Sequence, residues 1–413
     1  MQAFLFRLSA LAIRFLCPLV ALALSNAETM GKYYLFISYF TFVVGVSSLE
    51  LAVLFSWKFL RCRSDRQRRL VFTGFLVNQV VVTSALAIPA GVLVAEWAGI
   101  PVGLIPLFCL SLATEACVNE IGRFFWNIGQ YKMPSLRDLV RAMVFTTAIV
   151  ASVYLEKKVL TPVTFLTITI GNVAIIGWEW KFWGRAISVK KMSAIHQLNS
   201  IWSRVRHSLF GSLPQFVHMQ LLGLQPLLER TLIEKSMGLA AVASFSLLAS
   251  VMQSAAGLQL VPMIAQTRQR ILGVRTVSDR IEANRGTLIL LRKIAVISGA
   301  WALIVYLGLP LLPYLLEKEV RASPPMFMAV YLSSVSAIFC SAISPLLTEK
   351  RFGLKANLLT ILVMAPLLIA QWIDFETSVL PFSLVVIAGV ATLHLLGRIV
   401  FIQGQAKRSQ HKG

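Results

Sequence analysis

Long apolar runs separated by short basic junctions restrict this chain more than any other feature. Twelve runs, each with soft ends, fall at 3–24, 33–56, 71–95, 100–121, 138–155, 159–180, 207–228, 238–264, 290–316, 323–348, 356–373 and 378–402. A helix needs roughly 20 residues to cross a bilayer, and these runs are close to that length. No period-two alternation runs through them, which argues against an outer-membrane barrel. Charged residues make up 14% of the 413 and hydrophobic residues 57%. A soluble domain carries about 25% charged residues, so no water-soluble core could absorb this apolar surface. The pattern predicts an all-α integral membrane protein with about twelve transmembrane helices.

The net charge of +21 invites a nucleic-acid partner, but the placement of the cations argues against one. They cluster in alternate junctions. The junction 57–70, "WKFLRCRSDRQRRL", holds Lys58, Arg61, Arg63, Arg66, Arg68 and Arg69. The junctions near 122–137, 181–206, 265–293 and 349–355, and the tail, are also basic. On the other side stand only Lys32, Lys157, Lys158, Arg230, Lys235, Lys318 and Arg321 of the 39 cations. By the positive-inside rule both termini are then cytoplasmic. The five cysteines, Cys17, Cys62, Cys109, Cys117 and Cys340, show no metal or disulfide spacing and read as packing residues.

The chain also repeats itself. "ETMGKYYLFISYF" begins at Glu28 and "EKSMGLAAVASFSLLAS" at Glu234. The shift that lays Gly31 on Gly238 also lays Met30 on Met237, Ser47 on Ser254, Leu51 on Leu258, Arg61 on Arg268, Arg63 on Arg270 and Arg68 on Arg275. Six spans, a basic junction and six more spans give two six-helix lobes, 1–206 and 207–413, related by a parallel pseudo-repeat. Each Met-Gly is expected to start a helix. The glycine would make a tight turn, and the preceding acid would sit near a helix N-terminus. The first span, "FLCPLVALALSNAE" at its end, has the look of a signal peptide. The repeat argues that it is retained, because its partner "FGSLPQFVHMQLLGLQPLLER" is an internal span.

Ionisable residues inside a membrane are costly and point to function. Arg7 and Arg14 share a face of the first span, roughly 10.5 Å apart along it. They form a basic ladder, although Arg7 could snorkel to the surface. Glu50 is deep in the second span, either paired with Arg14 or coupled to protons. His218 is mid-span, as a core residue or a proton group. Gln259, Gln266 and Arg270 lie on one face of the eighth span, as a cavity wall or as helix–helix hydrogen bonds. These seven are the candidate substrate-binding residues. Glu115 and Glu120, near the end of the fourth span, and Glu179, at that of the sixth, are expected to be interfacial or paired with nearby Arg123 and Lys181. His394 and Arg398 are expected to snorkel.

The segment "ERTLIEKSMGLAAVASFSLLASVMQSAAGLQLVPMIAQ", residues 229–266, resembles a known family. An acid-Arg pair (Glu229-Arg230), Gly238, Phe245-Ser246 and Pro262 match the seventh-to-eighth-helix region of bacterial polysaccharide-lipid flippases. These are the Wzx-like O-antigen and exopolysaccharide translocases of the multidrug/oligosaccharidyl-lipid/polysaccharide (MOP) exporter superfamily. "ETMGKYYLFISYF" is similar to the family's first-loop pattern. Glu229 stands where the family more often has Asp, and the fourth to sixth helices carry no recognisable signature. The resemblance implies translocation of an undecaprenyl-diphosphate-linked oligosaccharide across a bacterial cytoplasmic membrane by alternating access, with no cofactor. It implies membrane lipids, a polysaccharide polymerase and a chain-length regulator as partners. It also implies that the first, second, seventh and eighth spans line the cavity.

No phosphate-cradling loop, Ser/His/Asp grouping or metal-ligand cluster is recognisable, and no junction is large enough for a catalytic domain. Two rival readings stand beside the flippase. A multidrug or metabolite antiporter of the same superfamily would want acidic cavity residues for organic cations. A non-transporting component of a polysaccharide-assembly complex would need no cavity.

Overall fold

The computed structural model describes residues 2–48, 51–156, 158–184, 194–253, 277–308, 323–343, 350–372 and 383–397. Among them every regular element is helical. In chain order these are α1 (Gln2–Leu24), α2 (Ala27–Ser48), α3 (Leu51–Arg61), α4 (Asp65–Ala95), α5 (Ile105–Asn127), α6 (Lys132–Glu156) and α7 (Pro162–Gly184). There follow α8 (Ala194–Met237), α9 (Leu239–Gln253), α10 (Val277–Gly308), α11 (Pro324–Ile343), α12 (Lys350–Ala370) and α13 (Ser383–Gly397). Helices α1, α4, α5, α6 and α7 are each long and apolar enough to cross a bilayer, and α2 with α3 makes a sixth span as a bent pair. Shorter apolar helices follow in α9, α11, α12 and α13. The chain is an all-α, multi-pass membrane protein, as its hydropathy predicts.

The expected second span, 33–56, differs in two ways. It starts earlier, because Asn26 caps it: the Thr29 amide donates to Asn26 Oδ1 at 2.8 Å. It also breaks, with α2 and α3 meeting at 44°. The hydroxyls of Ser47 and Ser48 bond back to the carbonyls of Val43 and Gly45, both at 2.8 Å, which loosens a helix at that point. Just beyond, the Ala52 amide donates to Glu120 Oε2 of α5 at 3.0 Å. A carboxylate from a neighbour has entered the ladder, one of the recognised causes of a kink. Two other boundaries also move. Helix α6 begins at Lys132, so Arg137 belongs to a helix and not to a junction. Helix α8 begins at Ala194, so the second half of the basic junction 181–206 is helical.

In the first half α1 lies along α6, α5 packs on α4 and α7, and α2 packs on α4 and α5. In the second half α8 packs on α12 and α11, and α10 on α11. The halves meet where α2, α3 and α4 contact α8. Between spans lipid is as apolar as a leucine, so close packing holds the helices together. Aromatic rings supply much of it. Phe36, Phe40, Phe108 and Phe165 meet in tilted and edge contacts, and Phe75 stacks on Phe124 at 4.8 Å. Each such pair adds about 0.5–1.5 kcal/mol beyond area burial. One buried cluster crosses the halves, bringing Met30 and Tyr34 of α2 together with Leu232 of α8 and Val242 of α9. Cys17, Cys109, Cys117 and Cys340 are buried, and none of the five cysteines is in a disulfide.

Candidate functional site

The contact of α2, α8 and α9 carries a half-buried cation. Arg230, near the end of α8, donates from Nε to Ser246 Oγ of α9 at 2.9 Å and from NH1 to Ser38 Oγ of α2. One guanidinium therefore joins α2, α8 and α9. Two turns of chain away the backbones themselves touch. A Cβ on Gly31 would fall on the carbonyl oxygen of Leu239 and lie 3.1 Å from its Cα. Only a residue without a side chain permits that approach.

Beside Arg230, polar groups continue into the second half. Gln225 Nε2 donates to Glu229 Oε1 at 2.8 Å, and Ser333 Oγ of α11 reaches both Glu229 oxygens at 2.7 and 2.8 Å. His394 Nδ1 of α13 lies 3.0 Å from Gln225 Oε1. His218, one face of α8 further along, lies 3.5 Å from Thr360 Oγ1 of α12. His218, Gln225 and Glu229 share a face at spacings of seven and four. A small cavity of ≈ 20 Å³ opens among Glu229, Arg230, Phe245, Gln253, Ser333 and Ser334, about enough for one water. The chain His394–Gln225–Glu229–Ser333 holds the Glu229 carboxylate in one orientation.

A second polar layer lies in the first half. Arg141 of α6 pairs with Glu115 of α5, which also accepts from Asn172 Nδ2 of α7 at 2.9 Å. Arg137 donates to the Val118 carbonyl at 3.0 Å, to Asp138 Oδ1 at 3.1 Å, and lies 3.9 Å from Glu179. Its guanidinium fills the space left by Gly122, where any Cβ would collide with it. Arg137 is 2% exposed and Glu120 fully buried. Removing one partner of such a buried pair costs about 3–5 kcal/mol.

The candidates named from sequence land as follows. Arg14 is exposed, and Arg7 is partly buried with its guanidinium 4.7 Å from the Trp126 ring. Arg14 is within electrostatic reach of Arg7, of Arg141 and of Tyr33, and Arg230 also reaches Tyr33. His218 of α8 is buried against α12. Glu50, Gln259, Gln266 and Arg270 lie outside the described residues, as does Arg398, and Lys181 lies in the last turns of α7. Three expectations change. Glu120 pairs with Arg123 at 2.8 Å as expected, whereas Glu115 and Glu179 are buried partners of the α6 arginines. His394 does not snorkel: it is buried and reaches across to α8. Gly31 does not make a turn, since it lies inside α2. Arg137 and Arg141 escaped attention, although "RDLVR" places them on one helical face at a spacing of four.

Comparison of the whole chain with solved structures decides the architecture. A eukaryotic MATE transporter, AtDTX14, superposes with a TM-score of 0.61 over 99% of this chain and 96% of its own, at 14% identity. The inward-facing and outward-facing conformations of a multidrug resistance MATE family transporter of the MOP superfamily each give 0.59 at 13% identity, covering 100% and 99% of this chain and 99% and 96% of theirs. The fold is that of the MATE transporters. At these identities the MATE likeness speaks for the fold alone. No family model matches the sequence, and no curated protein does.

Proposed function

We propose that this MATE-fold protein carries an undecaprenyl-diphosphate-linked oligosaccharide across a bacterial cytoplasmic membrane by alternating access, with both termini cytoplasmic. The observation that carries this reading is in α1. That helix holds Arg7 and Arg14 and no acidic residue, Arg14 is exposed, and Tyr33 of α2 lies within its electrostatic reach. A diphosphate takes its strongest hydrogen bonds from guanidinium groups. Its sugars and charge cannot cross hydrocarbon unaided, whereas the polyprenyl tail stays in lipid. A cationic drug would meet like charge at the same helix. Arg14 then serves as the headgroup ligand, with Arg7, Glu50, His218, Gln259, Gln266 and Arg270 as the remaining cavity groups. A polysaccharide polymerase and a chain-length regulator are the expected partners.

Deletion of the gene should lead lipid-linked oligosaccharide to accumulate and surface polysaccharide to disappear. Arg14→Ala should reproduce the loss at normal protein level, and Arg14→Lys should restore part of it, since lysine keeps the charge without the planar fork. Intact polysaccharide together with altered drug susceptibility in the deletion strain would replace this reading by the multidrug one. Reporter fusions after residues 62 and 413 should read cytoplasmic, and one near 234 periplasmic; a periplasmic signal at 413 would overturn the topology.

A further inference from the structure

At the cation-rich end of the first half, the α3–α4 and α5–α6 turns enclose a cavity of ≈ 310 Å³ lined by Phe59, Leu60, Arg68, Ile128 and Gln130. Its wall is apolar on three residues, and its polar groups are one guanidinium and one amide. The stretch 57–70 around it carries six cations and the single acid Asp65. Asp65 is 3.4 Å from Arg68, but their side chains are 86% and 45% exposed, and such pairs contribute little. Arg68 therefore keeps hydrogen-bonding capacity for another anion. The neighbouring cations lie on rings: Arg61 is 3.9 Å from the Trp57 centroid, Lys58 5.3 Å from Phe55 and Arg68 5.9 Å from Phe59. Cations over aromatic rings at span ends mark the headgroup level of a bilayer. Cations that only orient the chain in the membrane need no cavity. Here one of them stands at the rim of an apolar recess.

We propose that this recess is a binding site for the phosphate of an anionic phospholipid of the surrounding bilayer. Arg68 takes the phosphate oxygens, Gln130 hydrogen-bonds the glycerol ester oxygens, and Phe59, Leu60 and Ile128 cover the first acyl carbons. The volume is at the lower end of small-ligand pockets. It suits a headgroup and glycerol, not an oligosaccharide. Basic pockets between spans at a membrane surface bind such headgroups. The site is independent of the transported substrate, which the reading above places at Arg14.

The test uses the full-length protein purified in a neutral detergent. Short-chain phosphatidylglycerol, short-chain phosphatidylcholine and inorganic phosphate are titrated separately, with thermal unfolding and native mass spectrometry as readouts. Phosphatidylglycerol should raise the unfolding temperature and remain bound, and the other two should do neither. Arg68→Gln and Gln130→Leu should each weaken that response, Arg68→Gln by about five- to tenfold for one lost charge-assisted contact. Arg66→Gln makes the same charge change on the same exposed turn outside the recess and should bind as the parent does. Equal loss in Arg66→Gln would reduce the effect to diffuse attraction, and an equal response to phosphatidylcholine or to phosphate would remove the site.

Discussion

Gly31 stands within the first turns of α2 with the backbone of Leu239 against it, whereas Gly238 stands between α8 and α9 at φ +80° with nothing within 4 Å of where a Cβ would sit. The same dipeptide, at matching places in the two halves, thus answers two different demands. At Gly31 volume is forbidden and the backbone is ordinary helix. At Gly238 volume is free and the backbone is left-handed, which costs other L-residues about 1–2 kcal/mol. Its amide caps α8 by donating to the Glu234 carbonyl at 2.9 Å. The acids differ likewise. Glu28 lies in the first turn of α2, where negative charge is favoured, and Glu234 lies in the last turn of α8 beside Lys235. A repeat in sequence preserves residue types, but the reason for each type is set by what the other half presents to it.

The largest test of this contrast is a cross-link. Lys32→Cys with Leu239→Cys places thiols on either side of the Gly31 contact. Oxidation should hold the seam shut and abolish transport, and reductant should restore it. Two readily labelled thiols that never cross-link in an active protein would break the proposed closure. Next comes Gly31→Val. Its side chain collides with a main-chain carbonyl, so the cost should be about 1–3 kcal/mol of overpacking. It should show as a lower unfolding temperature in detergent and faster labelling of a cysteine at position 32. Gly238→Ala should cost about 1–2 kcal/mol from backbone strain alone, and Gly238→Val more, since a β-branched side chain fits the left-handed backbone worst although space is free there. Gly238→Asn should be milder than either, because asparagine tolerates this conformation. The smallest effect is electrostatic. Glu28→Lys should lose about 0.3–1 kcal/mol at the α2 N-terminus, and Glu234→Lys should lose nothing. Equal losses at both would show that the two acids share one environment.

Hydropathy and cation placement made the helical, multi-pass architecture legible, because span length and loop charge are local quantities. Local signals failed where a partner helix decides the outcome. Arg137 read as the edge of a basic junction and Arg141 stood unassigned inside the fifth run, yet Glu179 and Glu115 draw them into the bundle. His394 read as a surface histidine, and Gln225 of a helix far earlier in the chain makes its interior position tolerable. The early start of α2 was written in Asn26 and missed, since the apolar run begins only later. The break after α2 was not written locally at all, because Glu120 comes from another helix. Arg14 and His218 were legible as candidates because a charge or an imidazole in an apolar run stands out by itself.

That break has a mechanical consequence. An unbroken helix passes a push straight along its axis. The span made of α2 and α3 is instead an elbow, with the Glu120 carboxylate as its pin. Force applied at the Gly31 end turns sideways there into α5, and so toward the Arg137 and Glu115 contacts, before it reaches the α3–α4 turn. The two ends of this span are therefore geared through a third helix, with the Glu120 carboxylate, the Ser56 hydroxyl on the Phe124 carbonyl and the Phe59–Phe124 ring contact as its teeth.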